Sequence, residues 1–100
     1  MKGPLFLLRY RYVADVVNLR PALRPAHLEL ANEFVRTDKL LLGGALEPLE
    51  KRKGFLVFAT KENAEEFAKR DPYVISDKKI VESFEIDQWN VVVGSALKKQ

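Results

Sequence analysis

Along residues 4–13, Tyr10 and Tyr12 alternate with Arg9 and Arg11 after a leucine-rich start, which predicts a strand with one apolar and one mixed face. In residues 14–23, Asp15, Asn18 and Pro21 interrupt any period, and a loop is expected there. From 24 to about 38 the period changes. His27, Leu30, Ala31 and Phe34 recur at i, i+3, i+4 and i+7, the spacing of one inward helical stripe, and Pro25 suits the first turn of that helix. Residues 40–46 read as a second strand with Gly43-Gly44 inside it, a pair that marks a bulge or a place where something approaches the backbone closely. A polar turn with Pro48 leads to a third strand over 54–60. Thr60, or alternatively Asn63, caps a second helix, on which Ala64, Phe67, Ala68 and Asp71 share a face, and Pro72 ends it. A short irregular stretch precedes a fourth strand over 79–87. The tail, 88–100, carries the β-branched run Val91-Val92-Val93, which packs on the sheet or across a dimer.

The order β-α-β-β-α-β predicts an α+β, ferredoxin-like sandwich: four antiparallel strands with two helices on one face. With strand order 4-1-3-2, the first helix starts and the second ends at the same end of the molecule. His27 and Asp71 are therefore expected to meet there, 44 positions apart in sequence. The end of the first strand and the glycine pair are expected at that end too.

Composition narrows the chemistry. One hundred residues, 47% of them apolar, suit a single domain (1–100, core about 4–87) without staples. The absence of cysteine excludes disulfides, thiol catalysis and cysteine-based zinc sites, and a lone histidine argues against a histidine metal site. No cofactor or metal is implied. The run Leu5-Phe6-Leu7-Leu8 is cut by Arg9 and Arg11, too short for a signal segment or a membrane span. A cytoplasmic location without a membrane partner is expected. A net charge of +3 allows a nucleic-acid face without demanding one.

Three stretches carry a resemblance: Arg24-Pro25-Ala26-His27-Leu28, Gly43-Gly44 after the first helix, and Asp71-Pro72-Tyr73-Val74 after the second. In their spacing and element order along 4–87, the chain resembles the YciI-like (YCII-related) family. The resemblance implies a dimeric α/β barrel of the muconolactone-isomerase-like kind and a site built on His27 and Asp71. It differs after the third stretch. Relatives place a small residue and a glycine there, whereas Ile75-Ser76-Asp77 stand here, a change that bears on the pocket rim.

A histidine near a helix start feels the positive end of the helix dipole, and a carboxylate beside it acts in the opposite sense. Asp71 would orient the ring through one nitrogen and leave the other for proton transfer. Arg24, or Arg9 or Arg11 at the strand end, would hold an anionic group. Tyr10, Tyr12 and Tyr73 would supply walls and a hydroxyl, and Gly43 and Gly44 would leave room. The expectation is isomerase- or lyase-type acid–base chemistry on a small anionic or phenolic molecule, in a homodimer.

Two other readings compete. One is a non-catalytic ligand-binding or structural dimer module in which the pair only ties two helix ends. The other is RNA binding, since Lys53-Gly54-Phe55-Leu56-Val57-Phe58 opens like the RNP1 pattern and Leu5-Phe6-Leu7 like RNP2. That pattern needs stacking aromatics on one face. Val57, not an aromatic, shares the face of Phe55, which argues against nucleic acid as a partner.

Overall fold

The computed structural model describes residues 3–95. Strand β1 (Gly3–Tyr12) is followed by helix α1 (Val16–Arg36), β2 (Leu40–Ala45), a 3-10 turn (Leu49–Lys51) and β3 (Lys53–Phe58). Helices α2 (Lys61–Arg70) and α3 (Pro72–Ile75) and strand β4 (Val81–Val91) complete it. The sheet order is β2-β3-β1-β4 and every neighbouring pair is antiparallel, as the element order predicts.

Side chains alternate across a strand. Leu8, Tyr10 and Tyr12 of β1 therefore join Leu56 and Phe58 of β3 on the face that the helices cover. Leu30 and Phe34 of α1 meet Ala64, Phe67 and Ala68 of α2 over them. Phe34, Phe58 and Phe67 form the centre, with ring centroids 5.2–6.2 Å apart and edge-on or tilted, the arrangement aromatic quadrupoles favour. Outside the core, Arg70 donates to both carboxylate oxygens of Glu33 at 3.0 Å and so ties α2 to α1.

The expected loop over 14–23 is largely helix: α1 begins at Val16, and both Pro21 and Pro25 lie inside it. Pro25 is thus in the helix interior, not its first turn. Each interior proline loses a ladder bond and crowds the carbonyl four residues back. Burial outweighs this cost, because Val16 is wholly buried and Leu19 and Leu23 pack on the core. The irregularity in β2 lies between Leu40 and Leu42, just before the glycine pair. β3 stops at Phe58, two residues short of the expected 60. β4 runs on to Val91, so Trp89, expected in the tail, is a strand residue opposite Leu5. Residues 96–100 of the tail lie outside the described residues.

Thr60 caps α2, accepting from the backbone N–H of Asn63 at 3.1 Å. Pro72 ends α2 and at once opens α3, where the chain was expected to be irregular. Asp71, preceding a proline, is extended (φ −72°, ψ 120°), and that conformation separates the two helices.

Candidate active site

Asp71 sits at the joint between α2 and α3 and is the one wholly buried charged residue among the described residues. Its carboxylate accepts three hydrogen bonds. The backbone N–H of Tyr73 donates to Oδ1 at 3.0 Å, capping α3. His27 Nδ1 lies 2.8 Å from the same oxygen. The hydroxyl of Tyr10 donates to Oδ2 at 2.6 Å. A carboxylate oxygen only accepts, so Nδ1–H donates in this contact and Nε2 is not engaged by Asp71.

The ring of His27 is held on three sides. Tyr73 stacks flat on it, with centroids 3.8 Å apart and planes 4° from parallel, and Phe67 meets it edge-on at 6.0 Å. Its side chain keeps 13% of its surface exposed and lines a cavity of about 160 Å³. The ring reaches Asp71 from the middle of α1, not from its start as the sequence suggested. The helix dipole plays no part, because α1 begins eleven residues before His27 and the field of a helix end fades within its first turn.

Three tyrosines surround the carboxylate. Burial pushes the Tyr10 hydroxyl well above its ordinary range, and the charge and hydrogen bond of Asp71 push it further. Burial, helped by nearby Tyr73, raises Tyr12 to about 12. Burial raises Tyr73 too, against the hydrogen-bonding pull and the charge of nearby Arg20. All three are neutral donors at neutral pH.

The structure sorts the residues that the sequence singled out. Arg24, His27, Gly43, Gly44, Tyr12 and Tyr73 line the cavity together. A Cβ on Gly43 would stand 3.1 Å from Leu56 Cγ, so glycine lets β2 lie close to β3 there; one on Gly44 would meet nothing within 4 Å. Tyr10 does not line this cavity but is a buried donor to Asp71. Arg9 and Arg11 are not at this site. Alternation along β1 sends them to the sheet face away from the helices, because Tyr10 and Tyr12 take the covered face. There Arg9 pairs with Glu85 and Asp87, and Arg11 with Glu82.

Arg20 also lines the cavity, and the sequence reading passed over it. The missed signal is spacing: Arg20, Arg24 and His27 stand at i, i+4 and i+7, one helical stripe, hidden by the reading of 14–23 as a loop. In the RNP1-like stretch, Phe58 is wholly buried against Phe34 and Phe67, which leaves Phe55 as the single aromatic of that stretch on the other face.

Among the described residues, no group of three or more His, Cys, Asp or Glu side chains could hold a metal ion, and no helix is long and apolar enough to cross a membrane.

The family model of the YCII-related domain matches residues 5–90. No curated protein matches. Three solved structures share the fold. The 5-chloro-2-hydroxyhydroquinone dehydrochlorinase TftG of Burkholderia phenoliruptrix AC1100, in complex with 2,5-dihydroxybenzoquinone, is 18% identical with a TM-score of 0.66, covering 85% of this chain and 92% of that one. PA3566 of Pseudomonas aeruginosa is 13% identical with a TM-score of 0.59, covering 93% and 98%. SO0527 of Shewanella oneidensis is 17% identical with a TM-score of 0.52, covering 88% and 89%.

Proposed function

This chain belongs to the YCII-related domain family, and from that footing we propose that it is a small-molecule enzyme of the isomerase or lyase type. His27 carries the proton and Asp71 orients it, on a small anionic or phenolic substrate. One observation carries the reading: the imidazole is fixed through Nδ1 at 2.8 Å from a wholly buried carboxylate, at the wall of a cavity. A ring held in one tautomer with its other nitrogen free is what proton abstraction needs. The neighbour TftG is named as acting on a chlorinated hydroxyhydroquinone, so hydroxylated rings are sensible first compounds to offer this chain.

The test is proton exchange. Small phenolic and enolisable acids are incubated with the protein in D₂O, and loss of carbon-bound protons is followed by NMR. Wild type should catalyse exchange in at least one compound, and His27→Gln should slow it by about 10²–10⁴-fold, the worth of general acid–base catalysis. Equal rates in the two proteins would refute the role of His27.

The three hydrogen bonds on Asp71 favour a second reading, a non-catalytic ligand-binding or structural dimer module in which the pair ties α1 to the α2–α3 joint. Under it, His27→Gln costs about 1 kcal/mol of stability and leaves ligand binding intact. In both readings the chain works as a homodimer through its open sheet face. Support comes from Leu42 (67% exposed) and Trp89 (50% exposed), which lie there beside Leu7 and Phe55. Sedimentation as a monomer at micromolar concentration would refute this.

A further inference from the structure

Arg9, Arg11, Arg52 and Arg70 each lie against a carboxylate. Arg20 and Arg24 have no such partner among the described residues, yet both line the cavity beside His27. Asp71 lies behind the imidazole and is already engaged by three donors. The cavity wall therefore carries two positive charges that no carboxylate among the described residues pairs with.

A second observation is independent of charge. Among the described residues, two buried polar side-chain atoms make no well-formed hydrogen bond, Nε of Arg20 and the hydroxyl of Tyr73, and the two residues lie close enough to act on each other. Both belong to residues that line this same cavity. Buried donors without partners are costly, and such groups call for an explanation such as an absent ligand. Burial keeps the Tyr73 hydroxyl protonated, so it remains a donor. Its ring lies flat on the imidazole, which puts the hydroxyl and the proton carrier within the span of one small ligand.

Size sets the third limit. The cavity of about 160 Å³ is close to the ~150 Å³ that accommodates one benzene ring in a protein core.

We infer that this cavity binds a phenolate, enolate or carboxylate of one ring or less, its ionised oxygen held by Arg20 and the Tyr73 hydroxyl with Arg24 at the mouth. The inference rests on the function proposed above for the identity of the reacting cavity, and extends it by naming the class of ligand and the groups that hold it. An oxygen held by these donors stays ionised while His27 exchanges a proton with a neighbouring carbon.

The probe is 4-nitrophenol, whose ionised form is followed by its own absorption band. Wild type should bind the phenolate at least about tenfold tighter than the phenol, seen as a downward shift of about one unit in the apparent pKa of the bound probe. Tyr73→Phe and Arg20→Met should each weaken phenolate binding about tenfold and leave the neutral phenol unaffected. Tyr73→Phe keeps the stacked ring, and a thermal melt of each variant confirms folding. Arg11→Gln, on the opposite face, should bind like wild type. Equal binding of the two forms, a preference that survives in both variants, or no phenolate binding at millimolar concentration would overturn the inference. His27→Gln separates the two proposals. A phenolate preference retained there, with wild type and His27→Gln exchanging protons at equal rates, upholds the anion site and defeats the acid–base reading. Proton exchange with an unchanged preference in the Arg20 and Tyr73 variants does the reverse.

Discussion

Tyr10 and Tyr73 allow the same small change at two buried hydroxyls with opposite expectations. Both residues are 2% exposed. The Tyr10 hydroxyl donates to Asp71 Oδ2 at 2.6 Å, whereas the Tyr73 hydroxyl, near Arg20, makes no well-formed hydrogen bond among the described residues. Tyr10→Phe removes a hydrogen bond to a charged acceptor and leaves Oδ2 buried without a donor. Hydrogen bonds to charged groups contribute about 1.5–3 kcal/mol, so a loss of about 2–3 kcal/mol is expected. Tyr73→Phe removes a hydroxyl that was already desolvated for no return, and should change stability by less than about 0.5 kcal/mol or raise it. Urea unfolding of both variants and wild type is the assay. With an m of about 1–2 kcal/mol/M, Tyr10→Phe should lower the midpoint by about 1–3 M and Tyr73→Phe should leave it in place. Equal shifts in the two variants would refute the assignment of the Asp71 hydrogen bonds.

Three further outcomes follow from the same geometry. Asp71→Asn keeps an acceptor oxygen for Tyr73 N–H and His27 but turns the other end into a donor, so the Tyr10 hydroxyl must rotate to accept and the charge-assisted bonds become neutral ones; unfolding should show a loss of about 2–3 kcal/mol, and a change under 1 kcal/mol would count against the three-bond arrangement. Tyr12 has its pKa raised when folded to about 12 from about 10, so the folded state holds its proton more tightly. Its stabilising contribution is complete below about pH 10 and is lost as pH rises towards 12; Tyr12→Phe should flatten the fall in denaturation midpoint over that window, and an unchanged fall would contradict the assignment. A Cβ at Gly54 would stand 2.2 Å from the Tyr12 hydroxyl, so Gly54→Ala must displace that ring; a cost of about 1–3 kcal/mol is expected, and a melt equal to wild type would show that the ring moves freely.

Much of the architecture was legible because local patterns agreed with one another. Period-two alternation marked β1, the Thr60 cap marked the start of α2, and the order of elements left the observed strand order as the natural solution. The meeting of His27 with Asp71 was expected from that order with His27 at a helix start; the contact forms, but from the middle of α1, which begins eleven residues earlier. The family resemblance was legible too, in three short stretches on the right elements.

What stayed hidden depended on packing between distant residues. Pro21 reads locally as a breaker, yet the burial of Val16, Leu19 and Leu23 holds the chain helical through it, and Arg20 joins the cavity only as a consequence. Arg9 and Arg11 were candidates by position along the chain, but the face on which Tyr10 and Tyr12 are buried decides which way they point. The partner of Tyr10 lies 61 residues away, and no periodicity encodes a hydrogen bond across the core. Sequence by itself determined the four strands, the two main helices and their order, but not where α1 begins or that α3 forms. Tertiary structure decided which neighbours complete them, because side-chain direction and desolvation are set by contacts that form only when helix and sheet close on each other.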